Sequence, residues 1–333
     1  MITVAIVGLG YWGPNLLRVF SSNKECFVKY GCDLLDKNID KIKNKYPSVI
    51  FTKDYESILN DKSVDLVCIA TPPETHFKIA EDALQKRKHI LIEKPMTVSV
   101  ETGEQLINLA KEKNRLIMVD HTFVFSPPVI KMKELIENNE LGKPLYFDSE
   151  RINLGLLQEK INVIWDLAPH DFSILTYLFP NFKPNSLTAV GSKQIHSNQE
   201  DMAHVTIKYN NQFVAHAHVS WLSPVKMRKM IISGDNKMIL YDDMSLNEKI
   251  RVYTRGIDID FSKETPFNPI YRSGDILIPK ISDVEPLGLE VEHVVNCIKG
   301  KEKPKVDGKA GLAVVKLLRA CDESMKSNKE VKV

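Results

Sequence analysis

A glycine-rich turn close to the amino terminus constrains the fold of this chain more than any other feature. A Val- and Ile-rich run at residues 3–7 leads directly into the sequence G-L-G-Y-W-G at residues 8–13, and an amphipathic stretch follows. In such a G-x-G-x-x-G turn, Gly8 permits the tight bend, Gly10 lets the backbone approach a phosphate closely, and Gly13 lets the helix pack against the strand. The turn therefore predicts a strand–turn–helix unit whose helix N-terminus faces an anion.

An acidic residue stands where a nucleotide-binding unit of this kind needs one. Asp33 lies 20 positions beyond Gly13 and directly follows an apolar run at residues 28–32. A carboxylate there accepts hydrogen bonds from ribose hydroxyls and repels a 2′-phosphate. Because Leu34 and Leu35 follow it, where an NADP site often has Arg, the sequence favours NAD over NADP. Tyr11 and Trp12, inside the turn, are assigned to the same cofactor site. The alternative is a glycine turn beside an exposed aspartate, without a cofactor.

The first third of the chain alternates short apolar runs with amphipathic stretches. The runs are rich in Val and Ile and lack polar alternation, which is typical of parallel strands that helices cover on both faces. They occupy residues 3–7, 28–32, 49–51, 66–70, 90–92 and 116–119, and helices are predicted at residues 74–85 and 100–113. Repeated βα units predict a doubly wound parallel sheet of the Rossmann type in residues 1–122.

After residue 122 the pattern changes to that of an α+β domain, predicted for residues 123–333. Helices are expected before Gly142 and at residues 164–178, 288–298 and 309–325. Strand-like segments at residues 203–209 and 213–221 flank Asn210-Asn211, a candidate two-residue hairpin turn. Further strands are expected at residues 230–233, 238–241 and 250–253, which predicts a large, mainly antiparallel open sheet. Residues 257–282 are expected to be irregular, either a loop or an oligomer arm.

Two histidines in the second strand-like segment raise the question of a metal. His216 and His218 share one face of that strand, whereas Ala215, Ala217 and Val219 share the other. No third ligand is apparent nearby, so we expect no metal site, and a solvated or subunit-facing sheet surface is the preferred interpretation.

Two further segments are predicted to reach the ligand crevice at the carboxyl ends of the parallel strands. Thr71 and Pro72 follow the fourth strand, and His76 comes shortly after them. The first two either border the dinucleotide or form a simple strand-to-helix turn; His76 either contacts the cofactor or occupies the first helical turn. Glu93 and Lys94 follow the fifth strand. An ammonium group at that position can stabilise an alkoxide, although a lysine after a strand is more often a surface residue.

A second pair of chemically active residues lies in the predicted helix at residues 164–178. Asp166 and His170 are four positions apart and therefore project from one helix face. The imidazole titrates near neutral pH, and the carboxylate can orient it. The pair is either an acid–base group or a surface i,i+4 pair.

Taken together, the glycine turn, Glu93-Lys94-Pro95 and Asp166-x-x-x-His170 resemble the Gfo/Idh/MocA family of oxidoreductases. The resemblance covers essentially the whole chain. It implies an N-terminal Rossmann domain, a C-terminal domain whose sheet builds homodimers or homotetramers, and a catalytic group of Lys94, Asp166 and His170. In this group His170 is the general base and Lys94 binds the reacting hydroxyl.

A narrower resemblance concerns the substrate. The segments at residues 11–16, 151–155, 163–171 and 220–226 are similar to the branch that oxidises C3 of UDP-N-acetylhexosamines, or their uronates, for polysaccharide and lipid A sugars. It implies that Arg151 and Asn153 contact the substrate, unless both simply belong to a strand. Open alternatives are a keto-sugar reductase, an inositol or free-sugar dehydrogenase, and a dinucleotide-sensing protein without activity.

Charge and cysteine content limit the partners and the compartment. The formal net charge is only +2, which gives no reason to expect nucleic acid or an anionic membrane as a partner. The five cysteines are odd in number and contain no C-x-x-C pair, so free thiols in a reducing compartment are expected. With no apparent signal peptide or membrane segment, the sequence predicts a cytoplasmic protein.

Overall fold

The structure, a computed structural model, describes residues 1–155, 157–195, 198–259 and 269–333. The chain divides into two units. The first comprises Met1–Ser126 and Val284–Lys316, and the second comprises Pro127–Asp283 and Leu317–Val333. The sequence predicted a single boundary after residue 122. In the structure, residues 284–316 nevertheless group with the first unit.

Six parallel strands form the sheet of the first unit, in the order β3-β2-β1-β4-β5-β6. The strands are β1 (Ile2–Val7), β2 (Cys26–Cys32), β3 (Ile50–Thr52), β4 (Leu66–Ile69), β5 (His89–Glu93) and β6 (Ile117–Asp120). This order is that of dinucleotide-binding Rossmann domains, and it confirms the predicted doubly wound sheet. The order reverses between β1 and β4, so a ligand is expected beyond their carboxyl ends.

Helices connect these strands and bury them. They are α1 (Gly13–Ser22), α2 (Asp36–Asp40), α3 (Tyr55–Asn60), α4 (Pro73–Gln85) and α5 (Val100–Lys113). The α5 helix begins at the N-cap Ser99 and ends at Asn114, whose left-handed backbone stops it. A 3-10 helix, Thr122–Phe125, follows β6, and α8 (Pro286–Ile298) packs against it and against α1.

A nine-stranded sheet dominates the second unit, in the order β16-β13-β12-β11-β7-β10-β9-β8-β17. Only β7 and β10 pair in parallel; the other neighbours are antiparallel. The strands are β7 (Pro144–Leu154), β8 (Pro184–Ser192), β9 (Met202–Tyr209), β10 (Val214–Ser220), β11 (Leu222–Gly234), β12 (Met238–Asp242), β13 (Ile250–Tyr253), β16 (Ile276–Leu277) and β17 (Val331–Lys332). The mainly antiparallel open sheet is confirmed.

Two helices of the second unit and one shared helix complete the fold. They are α6 (Pro127–Glu137), α7 (Val163–Leu178) and α9 (Gly308–Ser327), the last of which contributes residues to both units. The α7 helix packs on β7, β9 and β10. Accordingly Ala215, Ala217 and Val219 of β10 are buried, whereas His216 lies on the opposite, open face, as predicted.

Some expectations for this unit were wrong in detail. The predicted hairpin between β9 and β10 has a loop of three residues, 210–212, because Tyr209 pairs with Phe213 and Gln212 adopts a left-handed conformation. Part of the segment expected to be irregular is regular, since β14 (Gly256–Ile259) pairs with β15 (Pro269–Arg272) and β16 joins the main sheet. Residues 260–268 of that segment lie outside the described residues.

The fold also gives the state of the cysteines and findings on membrane-spanning helices and metal sites. All five cysteines are free and buried, which confirms free thiols. No helix in the described part of the chain combines the length and apolarity that crossing a bilayer requires. Among the described residues, no three His, Cys, Asp or Glu side chains are placed to hold a metal ion.

Candidate active site

The glycine turn after β1 leaves room for a ligand at one of its three glycines. Gly8 has a φ of 95°, and a Cβ there would lie 2.4 Å from the carbonyl oxygen of Ala70. A Cβ at Gly13 would lie 1.8 Å from the carbonyl oxygen of Gly8, whereas one at Gly10 would meet nothing within 4 Å. Gly8 and Gly13 are therefore required by the protein itself. The open side of Gly10 is where a pyrophosphate can approach the backbone.

Asp33 is held in place beside this turn. Its Oδ2 accepts hydrogen bonds from the Leu9 backbone N–H, at 2.7 Å, and from Asn38 Nδ2, at 3.0 Å. Its Oδ1 accepts a bond from the Leu35 N–H at 2.8 Å. The carboxylate thus couples the glycine turn to the end of β2, and it remains partly exposed, with capacity to accept ribose hydroxyls.

The two aromatic residues of the turn have different surroundings. Tyr11 is 89% exposed. Trp12 is partly buried, and its Nε1–H donates to Oδ2 of Asp120 at 2.7 Å. Asp120 is the last residue of β6, so this bond joins the turn to the far edge of the same sheet. Sequence reasoning assigned Trp12 to the cofactor site but gave no signal for Asp120, which lies 108 residues away.

The segment after β4 is tied to the segment after β5 by a histidine. His76 is fully buried; its Nε2 lies 2.8 Å from the carbonyl oxygen of Thr71 and its Nδ1 lies 3.0 Å from that of Pro95. Burial lowers the pKa of His76, so the neutral ring donates to one of the two carbonyls. Pro72 precedes the first turn of α4. His76 therefore links the loop that follows β4 to the loop that follows β5.

Glu93 and Lys94 stand at the carboxyl end of β5, next to the end of β6. The Lys94 backbone N–H donates to Glu93 Oε2 at 3.0 Å. Burial, followed by the charge of Asp120, raises the pKa of Glu93 well above its ordinary value, which favours the protonated carboxyl. Lys94 is partly exposed, and its peptide bond to Pro95 is cis.

In the second unit, α7 presents Asp166 and His170 on one partly exposed face. The helix starts at the N-cap Asn162, whose Oδ1 accepts from the backbone N–H groups of Ile164 and Trp165. Residues 163–173 of this helix are buried, except for Asp166, Leu167 and His170. The structure therefore brings the two predicted residues together at the accessible positions of an otherwise buried helix segment.

Trp221 orients the Asp166 carboxylate. Its indole Nε1–H donates to Asp166 Oδ2 at 3.0 Å, and the Trp221 side chain is almost fully buried. The ring lies against Gly155, where a Cβ would come within 2.3 Å of the indole. The sequence contained a hint of this role, since Trp221 is the buried aromatic residue at the end of the alternating β10 segment, but nothing in it identified the partner.

Arg151 and Asn153 both lie on β7 but differ in accessibility. The Arg151 side chain is 4% exposed, and its Nε and Nη2 donate to Asp171 Oδ1 at 2.9 and 2.7 Å. Asp171 belongs to α7 and directly follows His170. Asn153 is partly exposed. The structure thus places Arg151 as an anchor between β7 and α7, and it leaves Asn153 accessible.

The parallel sheet order, the glycine turn with its open side at Gly10 and the ordered Asp33 together define a dinucleotide-binding protein of the Rossmann type. Gly8, Gly10, Gly13 and Asp33 form a cradle that suits NAD, with the pyrophosphate at the N-terminus of α1.

Comparisons with known proteins agree with this class. The sequence profile described as "oxidoreductase family, NAD-binding Rossmann fold" of GFO/IDH/MocA matches residues 2–121, and that of its C-terminal alpha/beta domain matches residues 133–333. The chain belongs to the Gfo/Idh/MocA oxidoreductase family and binds NAD.

Individual relatives are similar along their whole length. The chain is 28% identical over 321 residues to UDP-N-acetylglucosamine 3-dehydrogenase of Acidithiobacillus ferrooxidans, covering 93% of each. The solved structure of GnnA, a UDP-N-acetylglucosamine 3-dehydrogenase from that organism, has a TM-score of 0.84 at 23% identity and 98% coverage of each chain. The WlbA dehydrogenase from Bordetella pertussis, solved with NADH and UDP-GlcNAcA, has a TM-score of 0.83 at 16% identity, covering 100% of this chain and 97% of that one.

Proposed function

We propose that this oxidoreductase is a nucleotide-sugar dehydrogenase that oxidises the C3 hydroxyl of a UDP-N-acetylhexosamine, UDP-GlcNAc or its uronate. The observation that supports this substrate most directly is the 28% identity, over 93% of both chains, with a UDP-N-acetylglucosamine 3-dehydrogenase. The paired Asp166 and His170 at the accessible positions of α7 support the chemistry, since a dinucleotide sensor would not need an acid–base pair.

Each proposed catalytic residue has one role. His170 removes the hydroxyl proton, and Asp166, which Trp221 orients, fixes the imidazole for that transfer. The Lys94 ammonium group stabilises the developing alkoxide. As the C=O bond forms, the C–H electron pair leaves the sugar carbon as hydride. When bound, NAD supplies the hydride acceptor. Holding the reacting sugar carbon close to the cofactor contributes much of the rate acceleration.

The remaining predicted site residues divide into two groups. We assign contact with NAD to the glycine turn and to the ends of β2, β4 and β5, that is, to Gly8, Gly10, Tyr11, Trp12, Gly13, Asp33, Thr71, Pro72 and Glu93. His76 acts on the cofactor site indirectly, by holding the loops after β4 and β5 in place. Asn153 is proposed to contact the sugar, and Arg151 to act through α7.

A spectrophotometric substrate panel tests the proposal. NAD and NADP are each combined with UDP-GlcNAc, its uronate, free sugars and inositols, and the absorbance of the reduced nicotinamide is followed; the reverse reaction is measured with reduced cofactor and keto-sugars. We expect turnover with a UDP-N-acetylhexosamine and NAD. His170→Ala and Lys94→Ala should lower kcat by several orders of magnitude while NAD affinity changes little. Turnover of inositols or free sugars, without turnover of UDP-sugars, would show that the proposed substrate is wrong. Absence of turnover with every compound would favour a dinucleotide-sensing protein without activity.

We also propose that the open face of the nine-stranded sheet is covered by a second copy of this chain, giving a homodimer or homotetramer. On this face His204 and His218 stack at 4.1 Å, Val190 is 66% exposed, and burial raises the pKa of Asp148. Light scattering after gel filtration measures the assembly. Val190→Lys should dissociate it, whereas Val225→Lys should not, since Val225 is similarly exposed but lies in the part of β11 that does not pair with β7. The buried free cysteines support a cytoplasmic location.

A further inference from the structure

Three carboxyl groups of the first unit meet at the end of the parallel sheet. Glu93 and Asp120 are cross-strand partners at the ends of β5 and β6. Glu290 of α8 joins them, because α8 packs on the 3-10 helix that follows β6. Asp120 is 3% exposed and Glu290 is fully buried. We call Glu93, Asp120 and Glu290 the carboxyl cluster.

Asp120 connects this cluster to the glycine turn. Its Oδ2 accepts from Trp12 Nε1 at 2.7 Å, and its Oδ1 accepts from Thr122 Oγ1 at 2.5 Å. Because Trp12 stands immediately before Gly13 and the start of α1, the Asp120 carboxylate restrains the backbone that faces the pyrophosphate.

Glu290 has a different environment. Both of its carboxyl oxygens are buried, and the side chain lies beside Asp120 and Thr122. An ionised carboxylate in that position is costly, so burial favours the protonated form. Burial and the charge of Asp120 accordingly raise the pKa of Glu290 well above its ordinary value, as they do for Glu93.

The other titratable groups around the cluster supply little compensating charge. The pKa of His121 is lowered to about 4 by burial, so this ring is neutral. The Cys68 thiol on β4 is fully buried, which raises its pKa and keeps it neutral. Among the described residues, Lys94 places a positive charge near Glu93 and His121. Ionisation of either Glu93 or Glu290 would therefore place a second negative charge beside Asp120.

We propose that the carboxyl cluster positions the dinucleotide-binding turn through Trp12, and that it does so only while Glu93 and Glu290 are protonated, so that NAD affinity falls as the pH rises. Each ionisation would repel the Asp120 carboxylate and disturb its bonds to Trp12 and Thr122. The added charge would also repel the pyrophosphate. The inference rests on NAD binding and does not depend on the identity of the sugar.

Isothermal titration of the full-length chain with NAD, from about pH 6 to about pH 9, tests the proposal. Wild type should lose roughly tenfold or more in affinity as the pH rises across this range, because ionisation of one cluster carboxyl adds one negative charge near the pyrophosphate. Glu290→Gln, which cannot ionise, should show a shallower loss. Glu292→Gln, an exposed change on the same helix, is the matched control and should follow wild type.

A second variant keeps the test independent of any folding defect in Glu290→Gln. Trp12→Phe removes the indole donor and should weaken NAD binding about tenfold even near pH 6, since a hydrogen bond to a charged acceptor is lost. Circular dichroism checks that each variant is folded. NAD affinity that is independent of pH in wild type, a Glu290→Gln profile equal to that of wild type in a folded protein, or unchanged affinity in Trp12→Phe would each overturn the proposal.

Discussion

The buried pair of Arg151 and Asp171 offers a quantitative test of how α7 is held. The two side chains are 4% and 1% exposed, and two hydrogen bonds join them. In the described part of the chain, Asp171 Oδ2 is buried without a partner, so Arg151 accounts for the hydrogen bonds to this carboxylate. Arg151→Met should therefore leave an uncompensated buried charge. Removing one partner of such a pair costs about 3–5 kcal/mol.

The double variant separates the loss of the pair from the loss of packing. Arg151→Met combined with Asp171→Leu replaces both charges by apolar groups, and such replacements are often neutral or stabilising. We expect the double variant to recover most of the free energy of unfolding that the single variant loses. Lys208→Met breaks an exposed pair with Glu330 in the same unit and should cost less than about 1 kcal/mol.

Urea denaturation followed by tryptophan fluorescence measures these differences, because Trp165 and Trp221 both lie in the second unit. Steady-state kinetics should show a lower kcat in Arg151→Met, since Asp171 adjoins His170. The anchoring role would be refuted if Arg151→Met had nearly wild-type stability and a greatly raised KM for the sugar. That result would make Arg151 a direct substrate contact.

Three further predictions follow from the site. Trp221→Phe removes the donor to Asp166 but keeps most of the ring volume, so kcat should fall about tenfold with a smaller change in KM; unchanged kcat in steady-state assays would contradict this role. Gly10→Ala should fold with the thermal midpoint of wild type but bind NAD at least about tenfold more weakly by calorimetry, whereas Gly13→Ala should lower the midpoint because its Cβ would lie 1.8 Å from the Gly8 oxygen. Equal effects of the two changes would contradict the open side at Gly10. Because the pKa of buried Glu290 is raised above its ordinary 4.5, folding takes up a proton, and wild-type stability should fall as the pH rises above about that value, by up to about 1.4 kcal/mol per pH unit for this proton. In Glu290→Gln, denaturation curves across pH should show a shallower slope and greater stability at neutral pH; parallel slopes would argue against a protonated Glu290.

Local sequence patterns were sufficient for the Rossmann domain. Its inner strands β1, β4 and β5 are largely buried on both faces, so each appears as a continuous apolar run, and the glycine turn marks the first βα connection. The same reasoning located Asp33 at the end of β2. It also located Asp166 and His170 on one helix face, because helical periodicity alone determines which residues share a face.

Strand β7 shows where local patterns were insufficient. It pairs with both β10 and β11 near the middle of the nine-stranded sheet, yet it carries Asp148, Glu150 and Arg151, which are uncommon in a central strand. Arg151 is tolerated there because Asp171, 20 residues later, neutralises it. Local patterns also gave the wrong length for the loop between β9 and β10. It has three residues rather than two, because the left-handed backbone of Gln212 allows Tyr209 to pair with Phe213.

The amino-acid sequence alone thus determined the parallel sheet, the dinucleotide turn and the face shared by Asp166 and His170, since these depend on residues near one another along the chain. Tertiary structure decided which groups support them: Asp120 for Trp12, Trp221 for Asp166, Asp171 for Arg151, and Glu290 beside Asp120. These partners are separated by 20 to 170 residues, and whether a buried polar group is satisfied, ionised or protonated depends on the neighbours that folding brings to it.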